Sequence, residues 1–90
     1  MAARQIPKPE RYHNEVKALS QRVRRLRHER GWTLEQTAEK MDIELTHLQR
    51  IEAGALNVTL LTLTRMAQGF GVALWALFLD PSATTEGPPD

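Results

Sequence analysis

The sequence predicts an all-α fold, and three observations carry that prediction. Its five prolines stand at positions 7, 9, 81, 88 and 89, so residues 10–80 run without one. Gly31, Gly54, Gly69 and Gly71 divide this stretch into segments of helical length, as glycine does just after helix ends. Within the segments apolar residues recur at intervals of three and four, the period of a half-buried helix.

The elements follow in order. Asn14 is the expected N-cap of a first helix, with Val16, Leu19, Val23 and Leu26 as its inward stripe and Gly31 as its end. Thr33 followed by Gln36 has the pattern of a capping box, which predicts a short second helix from Leu34 to about Met41, with Ala38 and Met41 inward. Asp42 begins a turn. A third helix is expected over Leu45–Ala53, with Leu48 and Ile51 on its core face, Glu44 as an unusual N-cap and Gly54 as its stop. Thr59 opens a fourth, whose Leu60, Leu63, Met66, Ala67 and Phe70 share one side, and Val72, Leu74, Leu77 and Phe78 close the domain as a short fifth. The expected layout is a flexible basic arm over residues 1–13, a helical domain over 14–80, and a disordered tail over 81–90 rich in Pro, Gly, Ser and Thr.

Composition narrows the function classes. The 90 residues suffice for one domain and one core. The absence of cysteine removes disulfides, thiolate nucleophiles and sulfur-ligated metal sites. The apolar run Gly69–Leu79 falls far short of the roughly 20 residues of a membrane span, and residues 1–10 lack the apolar region of a secretory signal. No membrane association is therefore expected, and a cytoplasmic location is. The net charge of +1 hides a strong asymmetry. Residues 1–30 hold nine Lys and Arg against three Glu, a net of +6, whereas residues 31–90 hold three basic against eight acidic side chains, a net of −5. Such a split marks either an electrostatic partner site or solvated helix faces.

Two short helices joined by a tight turn inside an all-helical domain have the dimensions of a helix-turn-helix. The segments Leu26-Arg27-His28-Glu29-Arg30-Gly31-Trp32-Thr33, Ala38-Glu39-Lys40-Met41-Asp42-Ile43, Leu48-Gln49-Arg50-Ile51-Glu52-Ala53-Gly54, Leu63 through Ala67 and Phe70-Gly71-Val72 together resemble the Cro and phage-repressor type of domain, also called XRE-like or lambda-repressor-like. The resemblance runs from about Val23 to Phe78. It implies a compact five-helix bundle that binds operator DNA as a symmetric dimer, with the third helix in the major groove, and a nucleoid-associated location.

On that register the base-reading positions fall on Leu45, Thr46, Gln49 and Arg50. Gln49 can pair bidentately with adenine and Arg50 with guanine, while Leu45 or the Thr46 methyl can meet a thymine methyl. Thr33 and His47 are placed to touch phosphates, and Asn57 lies where such domains approach the backbone, although it also suits a purely turn-forming role. Arg27 and Glu52 resemble a structural pair linking the first and third helices; a partly exposed pair of this type contributes about 0.2 to 1 kcal/mol. His13 and His28 belong to no motif, and Trp32 reads as a packing residue at a helix junction.

Departures from the family pattern sharpen the reading. Leu34 stands where a phosphate-binding Gln is usual, and Thr37 where a core Leu is usual, which should loosen the second helix. Residues 33–54 carry five acidic against two basic side chains, so the helices expected to approach DNA are themselves repelled by it. The attraction must come from elsewhere, and Arg4, Lys8, Arg11, Lys17, Arg22, Arg24, Arg25 and Arg30 are the available supply, with Arg22, Arg24 and Arg25 as candidate phosphate contacts. Either this arm and helix clamp the backbone beside the groove, or the basic arm is an unengaged tail.

Leu56, Leu61, Trp75, Ala76 and Leu79 fall near positions that are usually polar in the family. This apolar set predicts a homodimer interface through Leu56, Leu61, Trp75 and Leu79, unless Trp75 and Leu79 fold back on the core. The expected function is a sequence-specific DNA-binding regulator of a near-palindromic operator, with double-stranded DNA as partner. The alternative is a protein-interaction module, antitoxin-like or an anchor in a complex, whose acidic helix-turn-helix surface meets a protein partner. Glu44 and His47 have a spacing that can serve a metal, but further ligands are missing. Neither enzyme activity, nor a cofactor, nor a metal is expected.

Overall fold

Helix formation begins at Pro9 rather than at Asn14. In a computed structural model, which describes residues 6–55 and 57–79, α1 spans Glu10–Glu29 with Pro9 in the N-cap position. Proline's fixed φ suits the start of a helix, the Tyr12 N–H donates to the Pro9 carbonyl at 2.9 Å, and Glu10 sits in the first turn, where the helix dipole favours a carboxylate. Asn14 is exposed inside the helix, so residues 10–13, assigned to the arm by the sequence, are helical.

The next three helices follow the expected register. Helix α2 is Leu34–Met41, and its capping box is complete: the Gln36 N–H donates to Thr33 Oγ1 at 3.1 Å and the Thr33 N–H to Gln36 Oε1 at 2.9 Å. It ends at Asp42, which takes the left-handed φ of 56° that tightens the turn. Helix α3 is Leu45–Glu52, with Glu44 at its N-cap and no side-chain cap bond. Helix α4 is Leu60–Phe70, opened by Thr59, whose hydroxyl accepts the Thr62 N–H, and closed by Gly71 at φ 73°.

The expected fifth helix is not α-helical. Leu74–Phe78 form a five-residue 3-10 helix, so the described residues hold four α-helices and a closing 3-10 helix. The extended Ala73 and Leu79 confine the element to little more than one turn, a length at which the tighter helix is usual. No strand occurs among the described residues, and no helix there is long and apolar enough to cross a membrane.

Leu19, Val23, Leu26, Ala38, Met41, Leu48, Ile51, Met66, Ala67, Phe70 and Leu77 form one core, to which every element contributes. Two expectations fail here. Leu60 is 68% exposed, because the buried stripe of α4 is set by Thr62, Met66 and Phe70 and a residue two positions before Thr62 lies on the opposite side of a helix. Ala76, counted with the outer apolar set, is buried. Thr37, which stands where a core Leu is usual, is fully buried, and its hydroxyl donates to the Thr33 carbonyl at 2.8 Å.

Helices α2 and α4 meet at Gly69, where a Cβ would lie 2.8 Å from Met41 Cγ and 3.0 Å from the Lys40 carbonyl oxygen. Backbone cannot give way as a side-chain end can. Gly69→Ala is therefore expected to lower folding stability by about 1 to 3 kcal/mol despite alanine's better helix propensity. Urea denaturation reads this directly; a neutral or stabilising result contradicts the close packing.

Candidate nucleic-acid interface

The structure divides the basic residues of α1 into those spent on the fold and those left for a partner. Arg27 Nε and Nη2 grip Glu52 Oε2 and Oε1 at 2.8 and 3.0 Å, and its Nη1 reaches the Trp32 carbonyl at 3.2 Å. Glu52 is only 8% exposed, so the pair is more enclosed than the partly exposed one expected from sequence. The bond to Glu52 raises the Arg27 pKa against the opposing effect of burial, so the cation persists at all working pH. Arg30 binds the Leu26 and Phe70 carbonyls at 3.1 and 2.8 Å and lies over the stacked rings of Trp32 and Phe70. Trp32 is thus a packing residue, flanked on its other contact by Lys40 at 4.7 Å from the ring centroid.

Arg22, a candidate phosphate contact, donates its Nε to the Ala76 carbonyl at 3.0 Å and so holds the 3-10 helix to α1. Arg25 lies 3.4 Å from Glu29 in an exposed pair. Arg24 is exposed and makes no ion pair among the described residues.

On α3, Thr46, Gln49 and Arg50 are exposed on one face, spaced as neighbours three and four residues apart. Their side chains have no hydrogen-bond or ion-pair partner among the described residues. Leu45 is half-buried against the core, leaving it less to offer a base edge than those three. Thr46, His47 and Arg50 line a shallow depression with Asn57, which brings the expected α3 residues and the loop after it together. Asn57 Oδ1 accepts the Tyr12 hydroxyl, so this loop is tied to the first turn of α1. Thr33 is exposed at the start of α2, its oxygen engaged by the capping box, while Leu34 packs against the core.

Acidic side chains frame the same surface. Asp42 and Glu44 are exposed beside His47 and share a second depression with Arg65 of α4. Arg65 could not be placed here from the sequence, because only the packing of α4 against α2 brings it beside Asp42, Glu44 and His47. Glu44 and His47 gain no third acidic or histidine neighbour in a metal-holding group among the described residues.

Of the expected interface, Leu61 is 60% and Trp75 44% exposed, whereas Leu79 is half-buried and Leu56 lies outside the described residues, as does the 81–90 tail. Leu60 joins the exposed set.

A family model described as a helix-turn-helix domain matches residues 18–74. A hypothetical transcription factor of Neisseria meningitidis serogroup B is 30% identical over 63 residues, which are 70% of this chain and 59% of that protein, so the chain spans about three fifths of its length. Among solved structures, the hypothetical transcription factor NHTF from Neisseria superposes with a TM-score of 0.72 at 24% identity over 90% of each chain, a likeness of fold. A transcriptional regulator from Vibrio cholerae gives 0.70 at 27% identity, over 73% of this chain and 37% of that one. The restriction-modification controller protein C.AhdI from Aeromonas hydrophila gives 0.69 at 25% identity, over 72% and 98%.

Proposed function

Because the chain belongs to the helix-turn-helix family, we propose that it is a sequence-specific DNA-binding transcriptional regulator that places α3 in the major groove. The observation that carries this reading is the exposed, unpartnered set Thr46, Gln49 and Arg50 on a short helix held at a fixed angle by α2 and by the Arg27–Glu52 pair. Gln49 and Arg50 read bases, with Thr46 and the edge of Leu45 against thymine methyls. Thr33, His47 and Asn57 hold phosphates, as do Arg24 and Arg25 and the guanidinium nitrogens of Arg22 beyond its Nε. The similarity to transcription factors and to a controller protein supports the assignment.

A symmetric homodimer supplies the two half-sites. Exposed Leu61 and Trp75 support such an interface, with Leu79 and Leu56 at its margin. Two α3 helices in successive major grooves, about 34 Å apart, require a near-palindromic operator. The protein then acts in the cytoplasm, on the nucleoid. Sedimentation at micromolar concentration should give a dimer, and Trp75→Ser a monomer; a monomeric parent protein contradicts the interface.

The acidic side chains Glu35, Glu39, Asp42 and Glu44 favour one competing reading, a module that docks a protein partner through the same surface. Fluorescence anisotropy against DNA upstream of the protein's own coding region, with specific and non-specific competitor, separates the two. Discrimination at moderate salt is expected, and its absence at low salt favours the protein-docking module.

A further inference from the structure

His13, Lys17, Gln21, Arg24 and His28 lie on one face of α1. Their spacings place them within an arc of about 80° and along about 22 Å of helix. All five are exposed, and among the described residues neither Lys17 nor Arg24 makes an ion pair. Arg27 and Arg30, by contrast, are consumed by carbonyls and by Glu52, and Arg22 spends its Nε on the Ala76 carbonyl.

The stripe is continuous with the face of α3. A trough between α1 and the end of α3 is lined by Lys8, His13, Lys17, Gln21, Arg24 and Asn57. Asn57 also borders the depression holding Thr46, His47 and Arg50, while Gln21 and Arg24 continue into a second depression toward His28. The Tyr12 hydroxyl bonded to Asn57 fixes α1 against the loop where the surfaces meet, and the Lys8 ammonium stands 5.2 Å from the Tyr12 ring centroid.

We propose that this stripe is a second contact surface for duplex DNA, over which the phosphate backbone flanking the α3 site continues from Asn57 along His13, Lys17, Gln21 and Arg24. The proposal rests on the DNA-binding reading and adds to it a track that does not read sequence. It resolves the electrostatic conflict of the domain: α3 and its flanks repel phosphate, whereas the free cations of α1 attract it. Lys17 and Arg24 carry the track, while Arg27 and Arg30 are engaged in holding the fold.

The test compares Lys17→Gln/Arg24→Gln with Lys40→Gln, an equal charge change per site near the end of α2, beside Trp32. Affinity for a selected site and for scrambled DNA is measured across a salt series. In the homodimer the double variant loses two phosphate contacts per protomer, which at about 0.9 per contact lowers the slope of log affinity against log salt by about 3.6 per dimer, about nine-hundredfold in affinity at 0.15 M salt. Both DNAs should weaken equally, and Lys40→Gln should leave the slope near that of the parent. The charge-keeping pair Lys17→Arg/Arg24→Lys should retain it, which excludes misfolding as the cause. An unchanged slope in the double variant, or an equal per-charge loss in Lys40→Gln, overturns the track. Loss of discrimination between the two DNAs in the parent protein, with the slope change intact, overturns the α3 reading and upholds the track.

Discussion

Replacing Glu52 with glutamine is expected to lower folding stability by about 3 to 5 kcal/mol, because it strands a cation in a buried position. Arg27 and Glu52 are 14% and 8% exposed, and the carboxylate takes two guanidinium bonds. Glutamine can offer only one acceptor oxygen and turns an amide NH2 toward the other guanidinium nitrogen, so one of the two bonds becomes a clash of donors. The third guanidinium bond, to the Trp32 carbonyl, also loses its orientation, and with it the turn that leads into α2. Equilibrium urea unfolding of Glu52→Gln measures the loss; a change under 1 kcal/mol would mean that the pair is solvated and that α3 is held by apolar packing alone. At fixed temperature the variant should also bind DNA less well, only in proportion to its unfolded fraction.

Removing both base-reading side chains, Gln49→Ala with Arg50→Ala, should cost about 1 to 3 kcal/mol each against the preferred half-site, a combined loss of about thirtyfold to about twenty-thousandfold in affinity per half-site. Both are exposed and their side chains make no hydrogen bond or ion pair among the described residues, so stability should change by less than about 0.5 kcal/mol. Non-specific DNA should be held nearly as before, apart from the one charge removed with Arg50. Anisotropy titration with a specific and a scrambled duplex checks this. Equal weakening on both DNAs would show that α3 touches phosphates and not base edges.

The register of α2 and α3 was legible in the sequence because local chemistry sets it. Thr33 and Gln36 satisfy each other's backbone groups, and Ala38, Met41, Leu48 and Ile51 keep helical spacing. The face expected to meet DNA followed from that register. What could not be read depends on neighbours distant in sequence. Asn14 has the right chemistry for an N-cap, yet α1 continues to Pro9, where the Tyr12–Asn57 bond ties its first turn to a loop 45 residues away. Arg22 and Arg30 have the composition of phosphate contacts, and only the folded chain places the Ala76 and Phe70 carbonyls within their reach. Leu60 follows the same logic in reverse: its spacing to Leu63 is helical, but the side of α4 that meets α2 is fixed by Gly69 and Met66. The charge asymmetry was legible as a number, while its division into structural and available cations was not.

The central claim is that a dimer reads a defined sequence through α3. Selection of bound duplexes from a random DNA pool tests it most directly. Enrichment is expected of a near-palindrome whose half-sites lie one helical turn or a multiple apart, about 10 base pairs centre to centre, with adenine and guanine positions that lose their enrichment in the Gln49→Ala and Arg50→Ala variants. A pool that binds in low salt yet shows no enriched sequence after repeated rounds would contradict it.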